Sequence, residues 1–360
     1  MNICFVLGTR PEIIKLSPLV KLCIKNKIRH TIIHTGQHFN YNMEGQFFKD
    51  LNVKPKYFLN LNNKNNYNKN FLNRAVKKLA TCYTRVNPDF IINQGDTNTV
   101  LASALAYKKI KNKIKAKLVH VEAGIRSFDK KMPEEINRIK ADKISDILLA
   151  PTSIAKKNLL NEKLKNKKIY ITGNTISDTI RQNQLIWKTN IKNKKKYFFL
   201  TLHRPETVDN NKRLKIVLNT LIKISEDLNI EIIFPIHPRT KKKIKFLKIK
   251  NLKKIQIIKP CNYFKSLSFQ KNAKLVITDS GGMQEETCIL KTPCVTIRNN
   301  TERPETLKIK SNLITGYKSS NIRIGILKMY NSKKNWASPY GNFVSDKIIK
   351  ILKKNFKNEK

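Results

Sequence analysis

Three carboxylates occupy positions where acid and base chemistry is plausible on residue type alone. Asp96 lies in Gln94-Gly95-Asp96-Thr97-Asn98. Glu122 lies in His120-Val121-Glu122-Ala123-Gly124-Ile125-Arg126. Glu134 lies in Pro133-Glu134-Glu135-Ile136-Asn137-Arg138. The first two follow apolar runs, and the third opens a helical pattern. Carboxylates gathered at one sheet edge raise one another's pKa values, which suits proton transfer near neutral pH. Plainer roles exist for each. Asp96 fits a helix N-cap, and Pro with paired acids is ordinary helix-start chemistry.

A second group of segments suits an anion. Thr278-Asp279-Ser280-Gly281-Gly282-Met283-Gln284-Glu285-Glu286 reads as a strand end, a bare Gly-Gly and a helix start. Backbone N–H groups there, with the Ser280 hydroxyl as cap, form a phosphate cradle. Glu286, near that helix start, is placed to accept ribose hydroxyls. Gly8-Thr9-Arg10-Pro11-Glu12 puts a guanidinium beside a helix N-terminus, where a phosphate is already favoured. His203 and Arg204 follow another apolar run in Thr201-Leu202-His203-Arg204-Pro205-Glu206. Pro235-Ile236-His237-Pro238 holds a second histidine in a rigid turn, and Thr301-Glu302-Arg303-Pro304-Glu305 adds a guanidinium.

Short β-branched runs alternate with longer amphipathic stretches, the pattern of βαβ units and parallel sheets. The first series predicts strands at Ile3–Leu7, Thr31–Thr35, Phe90–Asn93, Leu118–Val121, Ile147–Ala150 and Ile169–Ile171. Helices are predicted near Glu12–Lys25, Phe71–Val86, Thr99–Lys108 and Glu134–Ser145. A second series predicts strands at Tyr197–Thr201, Glu231–Pro235, Gln256–Ile258, Leu275–Thr278 and Val295–Arg298. Its helices are Arg213–Leu228, Phe264–Gln270 and Met283–Leu290. The polar run from Lys188 to Lys196 reads as a loop. The fold class is α/β, with two Rossmann-like domains facing across a cleft: residues 1–172 and 173–343. A last helix, predicted at Val344–Leu352, and the tail to 360 return to the first domain. In such sheets ligands bind beyond the carboxyl ends of the strands, where all these segments fall.

Bulk composition narrows the classes. The 360 residues include 73 Lys and Arg against 25 Asp and Glu, a formal charge of +48. Only 13 of the cations are arginines, and Asn and Ile are abundant. That is the residue usage of A/T-rich codons. With no basic segment interleaved with aromatics, we read the charge as codon bias rather than nucleic-acid binding. No apolar stretch reaches the roughly 18–20 residues of a membrane span. The N-terminal apolar run lacks a signal peptide's basic start and cleavage site, so a cytoplasmic protein is expected. The six cysteines form no C-x-x-C pair, so neither a disulfide framework nor a zinc site is expected.

Taken together, Gly-Thr-Arg-Pro-Glu, Gly-Asp-Thr-Asn-Thr, His-Val-Glu-Ala-Gly, Met-Pro-Glu-Glu-Ile-Asn-Arg, His-Arg-Pro-Glu and Thr-Asp-Ser-Gly-Gly-Met-Gln-Glu-Glu resemble the non-hydrolysing UDP-N-acetylglucosamine 2-epimerase family. The resemblance runs from Gly8 to Glu305, and Pro339-Tyr340-Gly341 also fits. It implies a GT-B-like fold, a UDP-sugar substrate, no cofactor or metal, and a homodimer. The implied reaction interconverts UDP-GlcNAc and UDP-ManNAc by eliminating UDP to a 2-acetamidoglucal and adding it back. Asp96, Glu122 and Glu134 become the acid/base candidates, and His203 the diphosphate contact or leaving-group aid. Arg10, Lys15, Arg126, Arg204, Phe264, Ser280, Gly281, Gly282, Glu286 and Arg303 become the UDP-sugar contacts. Gln37, His38 and His237 match a region where some bacterial members bind a second UDP-GlcNAc. The following segment, Phe39-Asn40-Tyr41-Asn42-Met43, is closer to archaeal-type members. His203-Arg204-Pro205-Glu206 departs from the His-Arg-Arg-Glu of many members by one cation. Related epimerases that act on UDP-2,3-diacetamido-glucuronate are the alternative. A GT-B glycosyltransferase and a nucleic-acid-binding protein stand further off.

Overall fold

The structure is a computed structural model and describes residues 1–37, 45, 47–48, 51, 53–61, 69–188, 196–247, 249 and 252–358. His38, the segment 39–43 and residues 189–195 of the predicted loop lie outside them. The chain forms two compact units. The first is Met1–Thr179 with Tyr340–Lys360, and the second is Ile180–Pro339.

Seven parallel strands form the first sheet: β1 Asn2–Leu7, β2 Arg29–His34, β3 Tyr57–Phe58, β4 Phe90–Gln94, β5 Lys117–Val121, β6 Ile147–Ala150 and β7 Lys168–Ile171. Their order is β3-β2-β1-β4-β5-β6-β7. The central strands carry unbroken apolar runs because helices cover both faces of a parallel sheet. Ile3 to Leu7 and Phe90 to Ile92 are buried accordingly. The second sheet has six parallel strands: β8 Tyr197–Thr201, β9 Glu231–Pro235, β10 Ile255–Ile258, β11 Leu275–Thr278, β12 Cys294–Thr296 and β13 Asn312–Ile314. Its order is β10-β9-β8-β11-β12-β13. Both orders reverse direction once, between β1 and β4 and between β8 and β11. Those are the topological switch points, where neighbouring loops part and leave room for a ligand.

The α/β class and parallel sheets are as the alternating pattern predicts. Two strands were not predicted, β3 and β13. They are two and three residues long at sheet edges, too short for a period to show. β12 starts one residue earlier and ends two earlier than predicted. Short helices at Ser153–Asn161, Pro238–Phe246 and Ser319–Tyr330 also escaped the periodicity.

The boundary of the first unit falls at Thr179, seven residues beyond the predicted 172. Residues 173–179 stay with the first unit through specific bonds. The Thr179 hydroxyl donates to the Ile14 carbonyl at 2.8 Å. Asp178 accepts the Ser345 N–H at 2.7 Å, which caps the helix Val344–Lys357. Gly173 has φ +95°, and a Cβ there would lie 2.4 Å from the Tyr340 carbonyl oxygen. That close approach seats the returning segment.

Gly124 shows the same constraint more sharply. Its φ is +79°, and a Cβ would stand 2.2 Å from the Ala155 carbonyl oxygen and 2.7 Å from Leu159. Gly124→Ala combines left-handed strain with a backbone overlap. It is expected to cost about 3–5 kcal/mol, read as a lowered urea midpoint at unchanged slope.

Candidate active site

At the β1/β4 switch point three loops meet. The turn after β4 carries Asp96. It is not the helix cap: Thr97 caps Asn98–Ile110, accepting the Val100 N–H at 3.3 Å. The Asp96 carboxylate instead pairs with Arg138, and its side chain keeps 29% of its surface exposed. Asn137 donates its side-chain amide to the Asp96 carbonyl at 3.1 Å and to Asn98 at 3.1 Å. The helix Pro133–Ile144 thus holds the Asp96 turn from one side.

Glu122 lies just past β5, is buried and adopts φ +67°. A bulky residue in that region is strained, a condition that clusters at functional sites. Lys15, Gln94 and Asn174 all donate to its carboxylate, Asn174 at 2.6 Å. Its Oε2 lies 3.7 Å from where a Cβ on Gly95 would be, which sets Glu122 beside the Asp96 turn. Asp96 and Glu122 are therefore neighbours, but each is paired with its own cation rather than with another carboxylate. The expected mutual clustering of acids is replaced by two ion pairs. Glu134 is half-buried in the first turn of the helix, four residues before Arg138.

Arg10 is exposed at the start of the helix Arg10–Lys25, with its guanidinium 5.9 Å from the Phe47 ring centre. Lys15 is buried against Glu122 and is part of that cluster. Arg126 is a correction. Its Nε and Nη2 donate to Glu162 at 2.6 and 2.8 Å, Nη2 also to Asp142 at 2.7 Å, and Nη1 to the Ile125 carbonyl. Only 2% of it is exposed. The planar fork is filled by protein carboxylates, so Arg126 braces the loop instead of reaching a ligand. Burial opposes its charge, but the two carboxylates outweigh that and hold its pKa above the ordinary value. Gln37 accepts from the Thr99 N–H and hydroxyl at 2.8 and 2.9 Å. Those bonds tie it to the Asp96 loop region.

Glu12 was read only as part of a helix start, yet it joins two of these loops. It is buried and accepts from Gly8 N–H at 2.8 Å, Thr9 N–H at 2.7 Å, the Thr9 hydroxyl at 2.9 Å and the Thr97 hydroxyl at 2.7 Å. The Thr-x-x-Glu spacing of a capping box was the available signal. Burial pushes Glu12 up to about 7, against the pull of those bonds. Its folded value lies above the ordinary 4.5. The associated stability is therefore full below about 4.5 and is lost as pH rises through about 7. The loss is expected to reach about 3 kcal/mol. Glu12→Gln removes that slope, so the stability of wild type minus that of the variant falls from acid to neutral pH in thermal melts. A gap that stays constant excludes the shift.

The second unit repeats the logic at β8/β11. Asp279 is buried and accepts the His203 N–H at 2.9 Å and the Arg204 N–H at 2.9 Å. It also lies 3.3 Å from His203 Nδ1. One carboxylate therefore shapes the whole His203-Arg204 turn. The His203 ring keeps 43% of its side-chain surface exposed. Partial desolvation lowers its basicity, outweighing the pull of Asp279, while Arg204 lowers it further. His237 caps Pro238–Phe246, accepting the Arg239 N–H at 3.2 Å, with its ring centre 6.5 Å from that of His203.

Ser280 precedes the helix Gly281–Leu290 but its hydroxyl does not cap it, contrary to expectation. Its N–H donates to the Thr278 hydroxyl at 3.0 Å. At Gly282 an added Cβ would meet only the Ser280 hydroxyl, at 3.9 Å, so a ligand can approach that backbone closely. Glu286 accepts from Gln270 at 2.7 Å. Phe264 is buried against Tyr263, with ring centres 5.6 Å apart. Arg303 pairs with the buried Glu285. Glu302, which burial alone would raise, is drawn down to about 2 by Arg298, with Arg303 and Arg204 adding. The Glu302 carboxylate stands beside the helix start, 3.3 Å from where a Cβ on Gly281 would be. Sequence reasoning missed Glu135, Asp142 and Asn174. Each acts through a partner distant in sequence or buried, which no local pattern marks.

Among the described residues, no group of three His, Cys, Asp or Glu could hold a metal. Nor, among those residues, is any helix long and apolar enough to cross a membrane.

Comparison with known proteins gives concordant matches. The family profile described as UDP-N-acetylglucosamine 2-epimerase matches residues 21–353. A UDP-N-acetylglucosamine 2-epimerase of Methanocaldococcus jannaschii is 46% identical, covering 98% of this chain and 99% of its own. One of Methanococcus maripaludis is 45% identical, covering 97% of each. The crystal structure of the M. jannaschii UDP-GlcNAc 2-epimerase in complex with UDP-GlcNAc and UDP superposes with a TM-score of 0.89 at 45% identity, covering 98% of this chain and 99% of that one.

Proposed function

The chain belongs to the UDP-N-acetylglucosamine 2-epimerase family, and on that premise we propose that it interconverts UDP-GlcNAc and UDP-ManNAc without hydrolysis. The observation that carries the reading is that Glu122 stands beside the Gly95–Asp96 turn at a topological switch point, with each carboxylate held by its own cation.

The C2 proton of the sugar is weakly acidic, so the C1–O bond must be largely broken as that proton leaves. UDP departs with the bonding pair, a carboxylate takes the C2 proton, and a 2-acetamidoglucal remains. UDP then adds back at C1 while a proton reaches the opposite face of C2. Two proton-transfer groups are required, and Asp96, Glu122 and Glu134 supply them. Carboxylates also stabilise the positive charge developing at C1. Arg10, the Gly281–Gly282 helix start, Arg204 and His203 take the departing diphosphate. Glu286 meets the ribose. Arg126 and Arg303 act by bracing loops.

In this reading the enzyme works in the cytoplasm as a homodimer. Its six cysteines are free thiols, which suits a reducing compartment. The test is incubation with UDP-GlcNAc in deuterated water, followed by proton NMR. UDP-ManNAc carrying deuterium at C2 is the expected product. An inert UDP-GlcNAc pool, with turnover of UDP-2,3-diacetamido-glucuronate, would reassign the substrate. Release of free ManNAc would overturn the non-hydrolysing step.

A further inference from the structure

Beneath the Asp96 turn lies a buried histidine that the proposed chemistry does not use. His120 sits on β5 with no exposed surface. Both of its ring nitrogens face oxygen. Nδ1 is 2.6 Å from Asp142 Oδ1, and Nε2 is 2.8 Å from the Gly95 carbonyl oxygen. A neutral imidazole offers one N–H and one lone pair, so it can donate at only one end. The carbonyl can only accept, which requires the proton on Nε2.

The remaining question is the proton between Nδ1 and Asp142. The other oxygen of Asp142 accepts from Arg126 Nη2 at 2.7 Å and from the Gly124 N–H at 3.1 Å. A proton on Asp142 would leave the buried Arg126 guanidinium facing a neutral acid. With the proton on His120, the cluster holds two cations, His120 and Arg126, and two anions, Asp142 and Glu162. That balance is what a buried charge network needs.

We propose that His120 is a positioning residue, a ring that donates at both ends and so locks the Gly95–Asp96 turn to the Glu122–Gly124 turn through Asp142. Asp142 holds the second turn by the Gly124 N–H, and His120 reaches the first at Gly95. The ring thus adds a direct link between the turns of Asp96 and Glu122 to the bonds that hold each turn separately. The link to turnover rests on the acid/base reading above; the charge state does not.

The full chain, labelled with nitrogen-15, would be recorded in a long-range histidine NMR correlation. One ring is expected to show protons on both nitrogens and to vanish in His120→Gln. A bare nitrogen on that ring overturns the assignment. Turnover supplies the second arm. His120→Gln keeps one of the two donations and His120→Asn the other. Each is expected to lower kcat by about 10–100-fold while KM stays within about threefold, as expected of misplaced groups. Unchanged kcat in both variants overturns the positioning role. A wild type inert toward UDP-GlcNAc overturns the link to that reaction, while the spectrum alone decides the charge.

Discussion

Asp96→Asn is expected to lower kcat by about 10²–10⁴-fold, the usual weight of a lost proton-transfer group. The substitution is clean on structural grounds. The Asp96 side chain is partly exposed and meets one cation, Arg138. An amide oxygen still accepts from that guanidinium, and Arg138 keeps its bond to Glu135 at 2.8 Å. The turn is held independently, by Asn137 on its carbonyl and His120 beneath Gly95. Stability should fall by no more than about 1 kcal/mol, as for a partly exposed pair. UDP affinity should stay unchanged, because other residues are the proposed diphosphate contacts. The measurement is deuterium incorporation at C2 alongside a thermal melt. A rate within tenfold of wild type at full stability would remove Asp96 from proton transfer.

Glu122→Gln is expected to lose turnover to a similar degree and to lose stability as well. The carboxylate is buried among three donors: the Lys15 ammonium and the side-chain amides of Gln94 and Asn174. Glutamine would set its own NH₂ against them. Lys15, with 8% of its side chain exposed, would also lose the Glu122 charge from its surroundings. Breaking one partner of a buried pair costs about 3–5 kcal/mol. The two effects can be separated. Lys15→Met combined with Glu122→Gln should recover much of the stability and none of the turnover. If the double variant regains activity with stability, Glu122 acts through packing, and another group takes the proton. At the partly exposed Asp96, neutralisation leaves the fold nearly intact. For Glu122 the buried ammonium says otherwise.

The motifs read from the sequence fall where the topology needs them. Gly8–Glu12 and Gly95–Asn98 follow the two strands that flank one switch point. His203-Arg204 and Ser280–Gly282 flank the other. This was legible because a parallel sheet writes each buried strand as a short apolar run, and each run ended in a chemically distinctive turn. Partnerships were not legible. Arg126 was expected as a UDP-sugar contact, and Asp142 and Glu162, 16 and 36 residues away, occupy its guanidinium. Asp96 looked like a cap because its neighbour Thr97, with the weaker cap preference, takes that role. Glu12 looked like a helix-start acid because Thr97 lies 85 residues off in sequence. A propensity reads neighbours in the chain, and these roles are set by neighbours in space.

The return of the chain to its first unit has a consequence for anyone dissecting the protein. Residues 1–179 do not make a separable piece. A gene cut after codon 339 would leave the second unit whole but strip Tyr340 and the helix Val344–Lys357 from the first. Asp178 would lose the N–H of Ser345, and the Asn174 N–H would lose the Tyr340 carbonyl at 2.9 Å. Asn174 is also the residue whose amide steadies Glu122. Residues from Tyr340 onward therefore complete the surroundings of a carboxylate encoded more than 200 codons earlier. The acid/base half of the protein cannot mature until they have been synthesised.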